Sequence, residues 1–212
     1  KSKVLILDSK NEFPLMSLVL QIWQEEYGDL IEWVSTDFGG EIIAINNKTK
    51  ELMSVDEKFS PDVINLIPPQ ISGKIALDNG LTDNSGWSPV FGNTFESKIA
   101  PDIYLLGDTI NAGDMPKSAS SAQSQAEVVA DAIITSLTGH TKKNHTLKNT
   151  CYFFTGPNSA LMIGGEYQVK EEIIVGSKGF SSDLDSDTNQ RFETTKEALH
   201  WYRKTTKSMF YQ

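Results

Sequence analysis

The run Ile103-Tyr-Leu-Leu-Gly-Asp108, followed by the small-residue stretch Pro116-Lys-Ser-Ala-Ser-Ser-Ala-Gln-Ser-Gln-Ala126, constrains the fold of this chain more than any other feature. Ile103 to Leu106 has the character of a short strand buried on both faces of a parallel sheet, and Gly107 allows a sharp turn where that strand ends. Asp108 then stands at the carboxyl edge. Doubly wound sheets bind ligands at that edge, and a carboxylate there accepts hydrogen bonds from ribose or ribityl hydroxyls. The same Gly-Asp pair also serves as a plain strand-to-loop turn. Pro116 suits a first helical turn and Ser118 or Ser120 its cap, while Ala119, Ala122, Ala126, Val129, Ile133 and Leu137 recur at helical spacing. Small residues come first, which predicts close approach of the first turns to a neighbour. Branched ones follow, which predicts that the helix then runs into a core. The positive end of such a helix favours a phosphate or a negatively charged ring.

The 212 residues suffice for one large or two modest domains, and 39% hydrophobic with 22% charged residues is ordinary for a globular protein. A net charge of −9 with no basic stripe argues against a nucleic-acid surface. No apolar run approaches the roughly 20 residues of a membrane span. With a single cysteine, Cys151, these residues hold no internal disulfide and no cysteine-based zinc site. Lys1 to Asp8 reads as a strand entered in mid-domain, so a preceding segment is expected.

Val4 to Leu7 is that strand, and Asp8 after it reads as a helix or loop cap, since no glycine-rich turn comes before it. Leu15, Leu18, Val19, Ile22 and Trp23 predict a helix stopped by Gly28. Strands are predicted at Ile31 to Val34, Ile42 to Ile45 and Glu51 to Val55, with Asn46-Asn47 turning between the last two. Val63 to Ile67 reads as a further buried strand, ended by Pro68-Pro69. Turns dominate Ile71 to Ala100. Thr138 to Asn149, with Lys142, Lys143 and Lys148, reads as a connection. Cys151 to Phe154, Ala160 to Ile163 and Glu166 to Val175 have strand character, Ser177 to Asn189 reads as a loop, and Phe192 to Phe210 as a helix. The class is α/β plus α+β.

Asp183, Asp185 and Asp187 mimic the opening of a calcium loop, but Thr188 and Thr194 stand where that loop needs Gly and Glu. His140, His145 and His200 lack metal-ligand spacing, so no metal site is expected. No elbow motif frames the serines from Ser118 to Ser124 as nucleophiles. Cys151, beside an aromatic run, is ordinary as a core residue.

Taken together, Asp62-Val-Ile-Asn-Leu-Ile-Pro-Pro-Gln70, Gly73-Lys-Ile-Ala76, Gly80-Leu-Thr-Asp83, Gly86-Trp87, Thr94-Phe-Glu-Ser97, Gly107-Asp108, Met115-Pro-Lys-Ser118, Ser124-Gln125 and Asn149-Thr-Cys-Tyr152 resemble the flavoprotein subunit of flavocytochrome c sulfide dehydrogenase. The resemblance runs from Lys3 to the end and concerns the C-terminal half of that subunit. It implies a partial two-dinucleotide-binding-domain flavoprotein fold. Residues 1–67 would end an NAD-like middle domain, 68–139 would be the returning segment of the FAD-binding domain, and 140–212 a C-terminal flavin-covering or interface domain. The implied activity is FAD-dependent oxidation of sulfide, a small sulfur substrate, with electrons passed to a c-type cytochrome subunit in the periplasm.

Residue by residue, the resemblance makes Gly107-Asp108 the turn whose carboxylate bonds the ribityl chain. Lys117-Ser118 would open the helix that faces the pyrimidine edge of the flavin. Cys151 would be half of a redox disulfide whose partner lies upstream. Trp201, with Tyr202, matches an aromatic pair that encloses the flavin, although core packing accounts for it equally. Ser88 stands where the family has a cysteine after its tryptophan. The glycine-rich FAD turn and a second cysteine are absent, so the chain by itself is expected to bind FAD weakly or not at all and to be inactive. Two other readings remain: a sulfide:quinone or NAD(P)H-linked disulfide oxidoreductase, and a non-catalytic module that docks a cytochrome.

Overall fold

Strand pairing is most extensive where tight turns return the chain on itself, between residues 147 and 181. The computed structural model describes residues 2–141 and 143–210; Lys1, Lys142, Tyr211 and Gln212 lie outside it. In order the elements are β1 (Val4–Leu7), α1 (Met16–Tyr27), β2 (Ile31–Val34), β3 (Ile42–Asn46), β4 (Glu51–Ser54), β5 (Lys58–Phe59), α2 (Lys74–Asp78), β6 (Ser88–Pro89), β7 (Ile110–Asn111), α3 (Ala119–Thr138), β8 (Leu147–Gly156), β9 (Ser159–Lys170), β10 (Ile173–Ser181) and α4 (Thr188–Phe210). This is a mixed α/β architecture of several small sheets. β1 and β2 pair in parallel, as do the two-residue strands β6 and β7. β3-β4-β5 and β10-β9-β8 are antiparallel sheets.

The last of these sheets is the frame for the rest. β9 and β10 are joined at Glu171 and Glu172, both in the left-handed region, with φ of +48° and +66°. α4 starts from a reciprocal cap in which Asp187 Oδ1 accepts the Gln190 amide at 2.8 Å and Gln190 Oε1 accepts the Asp187 amide at 2.7 Å. The third aspartate of the calcium-like run is therefore a helix cap. α3 begins at Ser118, whose hydroxyl accepts the Ser121 amide, and ends at Gly139 with φ +70°. One apolar core gathers Phe95, Ile110, Met115, Val128, Val129, Leu147 and Ile174 between α3 and the sheet. A second joins α1, through Leu18, Val19 and Ile22, to Leu161 and Phe153 of the sheet.

β8 is an edge strand, and an edge leaves backbone groups without a strand partner. α3 satisfies two of them: the Lys148 amide donates to Ser124 Oγ and the Thr150 amide to Ser120 Oγ, each at 3.1 Å. The serine run is thus an edge cover, which also sets the rotation of α3.

That rotation corrects the predicted helix face. The buried side is Ser121, Gln125, Val128, Val129 and Ala132, while Leu137 is 81% exposed and Ile133 also faces solvent. Polar contacts to β8 hold the helix in this orientation. Pro116 lies before the cap rather than in the first turn. Ile103 to Leu106 is not a strand of a parallel sheet. Among the described residues its backbone pairs with 95–97, through a Glu96–Tyr104 bridge and bonds at Ser97 and Leu105, and Ile103 is 39% exposed. An apolar run becomes a two-face-buried strand only between strand neighbours, and among the described residues none flanks this one. Val63 to Ile67 fails for the same reason: it is irregular, with Val63 82% and Ile67 78% exposed. Ser177 to Ser181 belongs to β10, its polar residues held in the ladder by pairing with β9. Only residues 182–187 form a loop before α4. Asp8 is a loop cap as expected, accepting from the Lys10 amide and the Trp33 indole.

Candidate functional site

Three segments meet at the start of α3. Because side chains on a strand alternate, β8 projects Asn149 and Cys151 to one side and Thr150 and Tyr152 to the other. Asn149 Nδ2 donates to Ser118 Oγ at 2.7 Å and lies 3.5 Å from the Cys151 sulfur. Cys151 is a half-buried free thiol. α4 brings Trp201 to Tyr152, with ring centroids 6.4 Å apart at 43°. Between these elements lies a cavity of about 320 Å³, lined by Ser118, Ala119, Ser120, Thr150, Cys151, Tyr152, Phe154, Ala198, Leu199, Trp201 and Tyr202. Its walls are mostly apolar and aromatic. The hydroxyls and the thiol collect at the helix N-terminus, where the peptide dipoles favour negative charge.

Two phenols at this site, Tyr152 and Tyr167, are held protonated. Burial pushes Tyr152 above its ordinary range, and the charge of Glu197 adds to the effect. Tyr167 is raised by burial first and then by its proximity to Cys151 and Asp114.

Gly107, Asp108 and Lys117 form a separate turn. Gly107 takes a φ of +73°, which a side chain disfavours, and its amide donates to Gln125 Oε1 at 2.7 Å. Asp108 follows in a single turn of 3-10 helix with its carboxylate exposed. The Lys117 ammonium donates to the carbonyl oxygens of Asp108 at 2.8 Å and Ile110 at 2.6 Å, and sits 3.6 Å from the Trp87 ring centroid. Desolvation lowers Lys117 from its ordinary range, with the charge of Asp108 opposing. The lysine therefore fastens the Asp108 turn to the chain that leads into α3, with Trp87 as the floor beneath it.

Of the residues singled out from the sequence, Ser118, Cys151 and Trp201 share the cavity, whereas Gly107, Asp108 and Lys117 do not line it. Asn149, Gln125, Trp87 and Tyr167 were not picked out as individual contributors. Asn149 had a readable signal, since a strand places a residue two positions before Cys151 on the same face. Gln125 entered only as part of the Ser124-Gln125 motif and Tyr167 not at all, because the contacts each makes follow from packing between elements. Elsewhere, His145 Nε2 lies 3.3 Å from Asp131 Oδ2, and among the described residues no group of side chains is arranged to hold a metal ion. No described helix is long and apolar enough to cross a membrane.

Two family models match the chain. Residues 1–68 match sulfide dehydrogenase (flavocytochrome c) flavoprotein chain, central, and residues 143–210 match flavocytochrome c sulphide dehydrogenase, flavin-binding. A chain in the cryo-EM structure of the Tetrahymena thermophila mitochondrial ATP synthase F1Fo composite tetramer aligns with a TM-score of 0.51 at 15% identity. That alignment covers all of this chain and 58% of the other, and at such low identity it concerns the fold alone.

Proposed function

Since the chain belongs to the family of flavocytochrome c sulfide dehydrogenase flavoprotein chains, a family of flavin-linked oxidoreductases, we propose that it supplies the sulfur-reactive edge and the cover of an FAD site that oxidises sulfide. The observation that supports this most is the convergence of Ser118, Cys151 and Trp201 on one cavity at a helix N-terminus. These residues suit one edge of a flavin ring. Trp201 and Tyr152 offer a flat apolar wall, and the capped start of α3 offers amide dipoles to a ring edge that gains negative charge. Asp108, exposed on its fastened turn, is the residue proposed for the ribityl hydroxyls.

In this reading Cys151 is one half of a disulfide whose other cysteine lies outside these residues. Hydrosulfide bonds to one sulfur, the S–S bond breaks, and its electron pair leaves on the other sulfur as a thiolate. A bound flavin would accept the two electrons that the sulfur centre gives up and pass them on singly. The proposed acceptor is a c-type cytochrome subunit, in the periplasm. Residues 1–67, 68–139 and 140–212 are proposed as the end of a middle domain, the return of the FAD domain and the flavin cover in a two-dinucleotide-domain fold.

Stopped-flow reduction by sulfide tests the role of Cys151 in the flavin-loaded subunit that contains this chain. Cys151→Ser should abolish sulfide-dependent bleaching of the flavin while leaving the oxidised flavin spectrum intact. Near-wild-type rates would remove the redox role. A full-length subunit that purifies without flavin and still binds a cytochrome would favour the docking module instead, and reduction of a quinone rather than a cytochrome would favour the quinone-linked enzyme.

A further inference from the structure

Gln125 is 1% exposed, on the inward side of α3 four residues after Ser121, and the two ends of its amide meet different groups. The Gly107 amide donates to Gln125 Oε1 at 2.7 Å, and Gln125 Nε2 lies 3.5 Å from the sulfur of buried Met115. Only the oxygen of a side-chain amide accepts, so the Gly107 N–H fixes which way the group points. Close packing accompanies the bond: a Cβ on Gly107 would stand 3.5 Å from the Ala122 methyl, so the turn rests directly on the helix. Lys117 holds the carbonyls of Asp108 and Ile110, and the Ser72 hydroxyl holds that of Thr109. Those bonds tie the turn to residues outside α3. Gln125 ties its amide side to the helix itself. A methionine would fill the same volume with no polar group to satisfy, so what the glutamine adds is direction, a fixed seat for the turn along α3.

We propose that Gln125 is a positioning residue that locks the Gly107-Asp108 turn to α3, so that the Asp108 carboxylate and the first turn of the helix meet a flavin as one unit. This deepens the FAD reading of Asp108 and rests on it. The carboxylate is exposed, so its placement depends on the backbone that carries it. Gln125 touches no ligand in this arrangement. It acts through Asp108, by fixing the residue before it.

A double-mutant cycle in the full-length subunit that contains this chain tests the proposal, with FAD affinity read by fluorescence titration. Gln125→Met should weaken FAD binding about tenfold where Asp108 is intact, but by under about twofold in Asp108→Ala, because a displaced turn matters little once its carboxylate is gone. Equal weakening in both backgrounds, or none in either, would overturn the proposal and leave Gln125 a core residue that affects stability alone. If Gln125→Met does not fold, hydrogen exchange in the unaltered subunit decides. FAD should slow exchange of the Gly107 and Ser121 amides by the same factor, since turn and helix start open together, and slowing at Ser121 alone or at neither would overturn the proposal. Failure of the underlying reading looks different: Asp108→Ala by itself would then keep wild-type affinity, which removes the ribityl assignment and this proposal with it before Gln125 is altered.

Discussion

Cys151, on the cavity, and Asp108, on a separate turn that does not line it, are the chemically distinctive residues singled out from the sequence, and they are held in different ways. Around Cys151 the strand is held from residues distant in sequence: Ser118 and Ser120 of α3 bond its neighbours Asn149 and Thr150, and Trp201 of α4 packs against Tyr152. Around Asp108 the restraints act on the backbone of one turn: a left-handed glycine whose amide bonds Gln125 of α3, a lysine nine positions after Asp108, and Ser72, which donates to the Thr109 carbonyl. At the sulfur the side chain itself lies half-buried among three packed elements, whereas at Asp108 the backbone is tied down and the carboxylate stands exposed. Damage to packing should spread into the first and leave the second almost unchanged.

The strongest way to break the comparison is Gly164→Ala. A Cβ there would lie 2.3 Å from the Asn149 carbonyl oxygen and 2.5 Å from the Phe180 ring, so β9 must shift away from β8 beneath Cys151. We expect a loss of about 3 kcal/mol in chemical denaturation. A melting temperature within experimental error of wild type would show that the sheet is looser than described.

Asp108→Ala separates binding from stability at the other end. In the flavin-loaded full-length subunit, loss of a charged hydrogen bond should weaken FAD binding by about 1.5–3 kcal/mol, tenfold or more by fluorescence titration. Stability should change by no more than about 0.5 kcal/mol, because the carboxylate is exposed. Early melting with unchanged FAD affinity would make Asp108 a turn residue.

Ser118→Ala sharpens the contrast with a smaller effect. It removes the helix cap and an acceptor for Asn149, for an expected cost of about 1–2 kcal/mol. Ser118→Asp should recover much of the cap, and thermal melts of the two variants check the order.

The smallest effect is a pH dependence. Lys148 and Glu166 face each other across β8 and β9 at 2.9 Å, and this bond holds the Glu166 carboxyl below its ordinary range, with the Lys148 charge adding to the effect. A carboxylate whose folded value is depressed contributes stability above its unfolded value, and that contribution is lost as pH falls through the folded one. The difference in stability between the wild type and Glu166→Gln should therefore be constant above roughly pH 5 and be lost as the pH falls below the ordinary carboxylate range. A difference that persists in acid would assign the effect to packing.

The parts legible in sequence are those with local causes. Leu18, Val19 and Ile22 recur at helical spacing and form the buried side of the helix that this spacing predicts, and Gly28 and Gly139 stop their helices by adopting positive φ. Asn46 turns the chain by accepting the amides of Lys48 and Thr49. Asp187 was legible in residue type but not in role, because Gln190 three positions on supports a cap as readily as the aspartate spacing suggests a calcium loop.

By itself, then, the sequence determined the long helices α1, α3 and α4, most strands of the antiparallel sheets and, through its short motifs, the family, but neither α2 nor the Glu171-Glu172 turn, which fell inside a segment read as one strand. Those depend on side-chain periodicity and backbone preference within a few residues. Tertiary structure alone decided that Ile103 to Leu106 and Val63 to Ile67 are not buried strands, since burial on both faces requires neighbours that no single segment encodes. It also decided which side of α3 faces inward, because serines that look like surface residues bond the open edge of β8. Bringing Ser118, Cys151 and Trp201 to one cavity was likewise a matter of how α3, β8 and α4 pack, and contacts across such separations in sequence arise only when the elements are assembled.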